Sequence, residues 1–422
     1  MADMLALPRP QKVRLPSGAT LLHQRNPFSP TIAFGVWIDG GSSREDTDER
    51  GLSHLLEHVV FRGTKGRDAL RLAYELESIG GQYDAFTGKE ATCYHAKVLE
   101  EHFEKLVDLF ADIVCRPTIP DKTMRIEKRV VLEEIRSVND TPEEYAHELF
   151  YVALFKGHPL GHPVTGYIKD IAGYRREDLV SFHRATYTAE DTTIGFIGNV
   201  PLSRVAATVE ERFRFPRRSF RRRRRRLGAA AAAVRSATRE DWAQSHVCIG
   251  ARGAAAGHPD RHPLVVLANV IGGGTTSRLF QSLRERTGLV YAAYTHVSFW
   301  KEAGAICNFF SVDSKHLERA LDLFHAELDD IRRGGVREEE IESAKAQVKG
   351  GIVFGIENPE SRMFQLIQSD VYHGRYVTCA EILRSIERVN RRAVTEAAER
   401  YLGDGGLTYT TCGPIPLKGL VH

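Results

Sequence analysis

The sequence lacks the features that mark membrane, secreted and disulfide-bonded proteins. It has no run of about 18 apolar residues, the length that a membrane-spanning helix needs. Its first residues, MADMLALPRPQKVRLPSG, show no basic start followed by an apolar core and a small-residue cleavage site. The six cysteines form no CxxC pair, and most stand in apolar runs, as reduced buried thiols do. We therefore expect a cytoplasmic protein with no membrane partner.

An excess of basic over acidic residues is confined to one short segment. Residues 212–226 hold ten of the 58 Lys and Arg residues and no acid, so the rest of the chain carries 48 basic and 55 acidic residues. Six consecutive arginines could bind nucleic acid or an anionic surface. The run has few aromatic residues and no adjacent recognition fold, however, so we interpret it as a solvated linker rather than a nucleic-acid site.

A chain of 422 residues is long enough for two domains, and its two halves repeat one order of elements. The helical pattern FEKLVDLFADIV in the first half matches LERALDLFHAEL in the second, and three further blocks match in the same order. We predict an α+β fold of two homologous domains, each a mostly antiparallel sheet with helices packed on one face. The predicted boundaries are residues 1–215, an Arg/Ala-rich linker over 216–240, and residues 241–422.

A short motif in GLSHLLEHVVFRGT combines two histidines with a carboxylate. On a helix, His54 and His58 lie one turn apart on the same face, where two imidazoles could occupy two corners of a tetrahedral zinc site. Glu57 flanks that face and could reach a metal-activated water without binding the ion. The alternative is an ordinary amphipathic helix, because a chain with 17 histidines can contain HxxEH by chance.

A catalytic zinc site needs a third protein ligand, and the segment DKTMRIEKRVVLEEIRSVND offers three glutamates. Glu127 and Glu134 lie two turns apart on one helix face, whereas Glu133 is rotated away. We expect the apolar residues of this helix to form a core face: Ile126, Val130, Val131 and Ile135. A carboxylate beside such a face is costly unless it is paired or bound to metal. Surface positions for all three glutamates remain the alternative.

The second copy of the repeat keeps the apolar pattern but has neither the proposed ligands nor the proposed base. The residues at the four matching positions are Val265, Ala268, Asn269 and Gly351. A pattern of surface salt bridges gives no reason why all four residues should be lost together. A functional site that is retained in one copy and lost in the other explains the joint loss.

With these residues in place, the chain resembles the pitrilysin-type (M16) inverzincin metallopeptidases, most closely the processing-peptidase branch and its bacterial relatives. The resemblance covers nearly the whole chain and rests on HLLEH followed by a glutamate at the family's usual distance. It implies one zinc ion per chain, held by His54, His58 and Glu134, with Glu57 as general base. Glu127 would hold a ligand histidine in orientation.

The second half has a distinctive block of its own, IGGGTTSRLFQSLRERTGLVYAAY. It resembles a family block that brings an arginine and a tyrosine, seven residues apart, to the active site, and Arg284 and Tyr291 match them. A guanidinium can pair with substrate carbonyls, and a phenol can donate to an oxyanion. A structural arginine and a core tyrosine remain the alternative.

The segment GGQYDAFTGKEATCYHAKV resembles the family's substrate-pairing edge strand. An edge strand offers unpaired N–H and C=O groups, so an extended peptide can add to the sheet. Ala85, Phe86 and Thr87 are therefore the substrate-binding candidates.

The resemblance implies a zinc-dependent endopeptidase of bacterial origin that hydrolyses peptides or unfolded protein segments. Family members of this length contain two of the four homologous domains that enclose a substrate. A homodimer is therefore implied, with Arg284 and Tyr291 acting across the interface. Two alternatives stay open: a non-catalytic structural subunit, and one catalytic chain of a heterodimeric processing peptidase. The intact HLLEH motif argues against the first, and the presence of Arg284 and Tyr291 argues against the second.

Overall fold

The computed structural model describes residues 8–215, 227–229, 232–403 and 405–417. The arginine-rich part of the predicted linker, residues 216–226, lies outside the described residues. Within the described part, the chain forms two compact units. The first comprises the described residues up to 136, those of 162–225, and 355–376; the second comprises 137–161, the described residues of 226–354, and those from 377 onward.

The described strands form one six-stranded and one five-stranded sheet. In chain order they are β1 Gln11–Arg14, β2 Thr20–Arg25, β3 Thr31–Asp39, β4 Gln82–Thr87, β5 Ala91–Leu99, β6 Thr192–Gly198, β7 Ala233–Thr238, β8 Gln244–Gly253, β9 Val290–Phe299, β10 Gly304–Asp313 and β11 Thr408–Gly413.

The α-helices occupy most of the remaining described chain. They are α1 Leu52–Val60, α2 Ala69–Ser78, α3 Phe103–Cys115, α4 Asp121–Asp140, α5 Pro142–Leu154, α6 Ile168–Gly173, α7 Arg176–Thr186, α8 Leu202–Arg212, α9 Arg261–Gly272, α10 Leu317–Arg332, α11 Glu338–Glu357, α12 Pro359–His373, α13 Cys379–Glu387 and α14 Arg391–Leu402. None of these helices combines the length and the apolar character that crossing a bilayer requires.

The two sheets share one topology. The first has the order β1-β2-β6-β3-β5-β4, and the second has the order β7-β11-β8-β10-β9. In each sheet one pair is parallel, β2 with β6 and β7 with β11, and the other pairs are antiparallel. Removing β1 makes the two orders equivalent strand by strand. The predicted α+β fold of two homologous, mostly antiparallel domains is therefore confirmed.

Strand β3 contributes side chains to two hydrophobic cores, one on each face of the first sheet. Ile32, Phe34, Val36 and Ile38 alternate along it and pack into the main core of the first unit, beneath helices that include α1 and α3. Ala33 and Trp37 point to the opposite face, where Met363, Leu366 and Ile367 of α12 cover them. A strand that is buried on both faces needs apolar residues at nearly every position, as TIAFGVWID has.

Two paired glycines allow α12 to approach the first sheet closely. Gly35 on β3 lies opposite Gly195 on β6. A Cβ atom at Gly35 would lie 2.7 Å from Met363 Cε, and one at Gly195 would lie 2.7 Å from Ile367 Cδ1. Both distances are shorter than van der Waals contact, so a Cβ atom at either glycine would force the Met363 and Ile367 side chains to shift.

Each unit takes one helix from the other half of the chain. Helix α5 belongs to the second unit, where it packs on one face of the second sheet through Phe150 and Leu154. Helix α12 belongs to the first unit, as described above. The main set of helices lies on one face of each sheet, as predicted, and the exchanged helix covers the other face.

The predicted contiguous boundaries differ from these units in three places. Residues 137–161 belong with the second unit and residues 355–376 with the first, because the apolar faces of α5 and α12 pack there. The linker predicted over 216–240 is also too long. Residues 233–238 form β7, which pairs with β11. The low complexity of LGAAAAAVRSAT hid this strand.

Candidate metal centre

Helix α1 holds the HLLEH motif against the core of the first unit. Leu52, Leu55, Leu56 and Val59 are buried on one side of it, so the two histidines and the glutamate of the motif share the other side. Glu45, which the sequence analysis missed, fixes the start of this helix. Its carboxylate is buried and accepts the backbone N–H groups of Gly51 and Ser53, each at 2.8 Å. Burial raises the pKa of Glu45 to about 7, although both hydrogen bonds oppose that shift.

The two histidines and Glu134 converge on one point. The imidazole rings of His54 and His58 have centroids 4.7 Å apart. The Nε2 atoms of both rings lie 3.7 Å from Glu134 Oε2. This distance is too long for a hydrogen bond, but it is close to the roughly 3.4 Å that separates two ligands of one tetrahedral zinc ion. Two neutral imidazoles and one carboxylate are a donor set that catalytic zinc accepts, so these residues fit the ion.

Glu127 contacts Nδ1 of His58, the ring nitrogen that does not face Glu134. Its side chain is only 1% exposed, and Oε2 accepts from His58 Nδ1 at 3.4 Å. Arg62 Nε lies 2.8 Å from the other oxygen, Oε1, and so compensates the buried charge. Burial opposes ionisation of Glu127, but the hydrogen bond from His58 and the charge of Arg62 outweigh it and lower the pKa of Glu127. With its Nδ1 proton engaged, His58 presents the Nε2 lone pair towards Glu134.

The two histidines differ in their electrostatic surroundings. Burial, with a smaller effect from His58, lowers the pKa of His54 to about 4, so this ring is neutral near pH 7. Burial also disfavours the charged form of His58, but Glu127, Glu134 and Glu57 outweigh burial and raise the pKa of His58. A metal ion bound at His58 Nε2 would take the place of the proton at that nitrogen, whose binding these three carboxylates favour.

Glu57 is held by a residue of the edge strand. Thr87 Oγ1 donates to Glu57 Oε2 at 2.6 Å. Burial raises the pKa of Glu57, and the hydrogen bond from Thr87 acts in the opposite direction. A partly buried carboxylate with a raised pKa beside potential metal ligands suits a group that accepts and returns a proton.

The structure places the predicted glutamates of α4 on different sides. Glu127 and Glu134 face α1, whereas the Glu133 side chain is 70% exposed and pairs with Arg136. Surface positions for all three glutamates are thereby excluded. The predicted core face was partly wrong, because Ile126 and Val130 are exposed. The buried face consists instead of Met124, Glu127, Val131 and Ile135, so Glu127 lies within it.

The three substrate-binding candidates lie on β4, the edge of the first sheet. Ala85 packs against the core, and Thr87 contacts Glu57. Phe86 points to the opposite face, where its ring meets Trp37 and Phe364. The alternation of β4 thus gives the three residues different surroundings. A peptide added at this edge would contact their backbone rather than one shared side-chain pocket.

Arg284 and Tyr291 lie in the second unit and face each other. The Arg284 guanidinium lies 5.2 Å from the centre of the Tyr291 ring and 4.7 Å from that of Phe280. The Tyr291 side chain is 77% exposed, so it is not a core tyrosine. Arg284 lies within a π-helical segment, Phe280–Glu285, and Tyr291 is the second residue of β9.

Gly51, directly before α1, has a backbone conformation that few other residues can adopt. Its φ of 86° is left-handed, and a Cβ atom would lie 2.7 Å from Thr165 O. We expect Gly51→Ala to lower the free energy of unfolding by about 1–3 kcal/mol in a urea titration. Gly351→Ala is the control, because a Cβ atom there meets nothing within 4 Å in helix α11. It should raise stability by about 0.5–1 kcal/mol. Equal stability of the two variants would contradict this account of Gly51.

Comparison with known proteins shows the family of the chain. Residues 20–167 match the family model described as insulinase (peptidase family M16), and residues 174–348 match the one described as the M16 inactive domain. An uncharacterized zinc protease of Bacillus subtilis, YmxG, is 32% identical over 384 residues, which cover 91% of this chain and 93% of that protein. An uncharacterized zinc protease of Mycobacterium tuberculosis is 34% identical over 406 residues, covering 95% of this chain and 92% of that protein.

Solved structures share the fold. A protease from Helicobacter pylori superimposes with a TM-score of 0.89 at 19% identity, covering 97% of this chain and all of that one. An M16 inactive-domain structure from Pseudomonas fluorescens gives 0.88 at 20% identity, with 97% and 98% covered. The sequence matches extend over nearly the full length of this chain and of its relatives, and they include the segment that carries HLLEH. The chain therefore belongs to peptidase family M16.

Proposed function

We propose that the protein is a zinc-dependent endopeptidase that hydrolyses peptides or unfolded protein segments. The observation that carries this proposal is the convergence of His54, His58 and Glu134 on one point, with Glu57 held beside them by Thr87. Surface ion pairs alone would not require a buried Glu127 behind one of the histidines. Hydrolysis of a library of unstructured peptides by the zinc-loaded protein tests the proposal.

The residues of the first unit divide the chemistry between them. His54 and His58, through Nε2, and Glu134, through Oε2, would hold zinc, which when bound polarises a water molecule and a substrate carbonyl. Glu57 would accept a proton from the attacking water and return it to the leaving amine. Since Thr87 engages Oε2, we assign the proton transfer to Oε1. Glu127 keeps His58 in the orientation that exposes Nε2.

Substrate would bind by strand addition at β4. This strand ends the first sheet, and its residues alternate between partly buried and exposed positions. Backbone hydrogen bonds to an extended peptide tolerate many side chains, so they favour broad rather than narrow sequence selectivity. Because Thr87 on β4 also holds Glu57, the strand that would receive the substrate is connected directly to the general base.

Thr87→Val should shift the acid limb of the pH profile of kcat/KM to higher pH. Burial raises the pKa of Glu57, and loss of the Thr87 hydroxyl removes a donor to the ionised carboxylate, so the pKa rises further. A base must be ionised to act, so kcat/KM below neutrality should fall by about fivefold, the effect of one hydrogen bond. Thr87→Ser keeps the hydroxyl and should restore the profile. An unchanged acid limb in the valine variant would count against the role of Thr87.

Arg284 and Tyr291 are proposed to act on substrate from the second unit of a partner chain in a homodimer. The exposed Tyr291 ring and the half-buried Arg284 guanidinium packed on it suit a surface that closes on a bound peptide. The Tyr291 hydroxyl would donate to the oxyanion, and the Arg284 guanidinium would pair with substrate carbonyls.

Mixing two inactive variants tests this sharing. Glu57→Gln chains lack the base, and Tyr291→Phe chains lack the hydroxyl. If the groups act across an interface, each mixed dimer contains one site with both wild-type groups, so random exchange should restore about a quarter of wild-type activity. Recovery should require subunit exchange, which labelled chains can report. No recovery despite proven exchange would exclude action in trans.

A further inference from the structure

Helix α5 brings a group of histidines and cysteines together on one face of the second sheet, within the second unit. His147 on α5, His296 on β9 and Cys307 on β10 each offer a ligand atom, and these atoms lie within 4.8 Å of one another. His296 and Cys307 are opposite each other on neighbouring antiparallel strands, so their side chains leave the sheet side by side. The proposed function uses none of these residues.

Cys248 on β8 lies next to this group, although its sulfur is not among the atoms that all lie within 4.8 Å of one another. Its Sγ lies 3.7 Å from His147 Nδ1, and the Sγ of Cys307 lies 3.9 Å from the same nitrogen. A nitrogen and a sulfur bound to one tetrahedral zinc ion are separated by about 3.5 Å, given bonds of about 2.0–2.1 and 2.3 Å. Both cysteines are fully buried. The four donors come from four different elements, α5, β8, β9 and β10.

The Tyr294 hydroxyl fixes the orientation of His147. The Tyr294 hydroxyl donates to Glu143 Oε1 at 2.6 Å. A phenol has one proton, so the same oxygen must accept from His147 Nε2–H, which lies 2.7 Å away. Nδ1 of His147 is then unprotonated, and its lone pair faces the two sulfur atoms. A carboxylate that acts through a hydroxyl on the far nitrogen is the support that metal-bound histidines commonly have.

Hydrogen bonding alone is the competing explanation. One thiol S–H can donate to the Nδ1 lone pair of His147, and the two buried thiols can hydrogen-bond to each other. Zn²⁺ bound by two thiolates and two neutral imidazoles has no net charge, which keeps the cost of burying it low. Thiolate and imidazole are also the ligands that structural zinc prefers over harder ions.

We propose that His147, His296 and Cys307 bind a second zinc ion, which fastens helix α5 to the second sheet, and that the Cys248 side chain moves to become the fourth ligand. With all four positions taken by protein, no position would remain for water and the site would be structural. The zinc content of the protein would then be about two ions per chain rather than the single ion implied by the family resemblance. The proposal stands apart from the proposed peptidase activity, since it concerns other residues of another unit.

Cobalt substitution distinguishes the two sites by their ligands. Co²⁺ bound to thiolate has a charge-transfer absorption in the near ultraviolet, whereas the His54, His58 and Glu134 set contains no sulfur. The full-length protein purified under reducing conditions and loaded with Co²⁺ should show this band, and His58→Ala should keep it. The double variant Cys248→Ser/Cys307→Ser should lose it. Cys93→Ser, which removes a buried thiol in the first unit, is the matched control and should retain it.

Zinc analysis of the same proteins gives the second readout. We expect about two zinc ions per chain in the wild type and in Cys93→Ser, and about one in either the His58→Ala or the double cysteine variant. A folded, cobalt-loaded wild type without the thiolate band overturns the proposal, and this test needs no variant to fold. A double cysteine variant that keeps two zinc ions also overturns it. Copper in place of the second zinc would overturn the assignment of the ion.

Discussion

Replacing Glu57 by glutamine should abolish nearly all peptide hydrolysis while leaving zinc in place. General-base catalysis contributes about 10²–10⁴ in rate, and Glu57 also returns the proton, so we expect kcat to fall by about a thousandfold or more. Glutamine preserves the shape of the side chain, and its amide oxygen can still accept from the Thr87 hydroxyl. Because Glu57 is not a ligand in the proposed site, zinc content should match that of the wild type.

The control for this variant is Glu133→Gln, which makes the same chemical change on an exposed face of α4. It should retain wild-type kcat and zinc content. Turnover by the Glu57 variant within about tenfold of the wild type would remove Glu57 from the mechanism. Loss of zinc in that variant would instead indicate that Glu57 helps to hold the ion.

Replacing His58 by alanine should remove the catalytic zinc and with it all measurable hydrolysis. His58 is the central residue of the group, since its Nε2 faces Glu134 and its Nδ1 is bonded to Glu127. A catalytic zinc site has three protein ligands, and loss of one lowers affinity strongly. The change also leaves Glu127 buried beside Arg62 without its second partner, so we expect stability to fall by about 1–3 kcal/mol.

His102→Ala tests whether loss of any histidine in this unit has such effects. His102 lies beside the start of α3 and contacts neither α1 nor α4 in the described interactions. Its variant should keep full zinc content and activity. A His58 variant that retained both would show that the ion is held elsewhere.

Local pattern predicted much of the candidate site. The apolar positions of DKTMRIEKRVVLEEIRSVND indicate a helix, and α4 has those bounds. The spacing of HxxEH places both imidazoles on one face of α1, as the structure has them. These features depend on residues within two helical turns of one another, where helical geometry alone determines which side chains are neighbours. The internal duplication predicted two homologous domains for a similar reason, since the order of helices and strands in each copy follows from local sequence patterns.

Long-range packing was not predictable in the same way. The sequences of α5 and α12 do not indicate which sheet each apolar face will pack against. The exchange of these helices between the units is therefore seen only in the folded chain. Strand β7 carries few apolar residues and is specified by its pairing with β11. Glu45 caps α1 across a turn of several residues and therefore matches no simple capping pattern. The proposed second metal site has the same origin, since its four residues meet only after α5 has packed on the second sheet.

The most direct test of the central claim is cleavage of an unstructured peptide library by the purified wild-type protein, with zinc measured on the same sample. We expect cleavage products that disappear when a chelator removes the zinc and return when zinc is added back. Folded, zinc-loaded protein that cleaves no peptide in the library would contradict the account and favour a non-catalytic role for this chain.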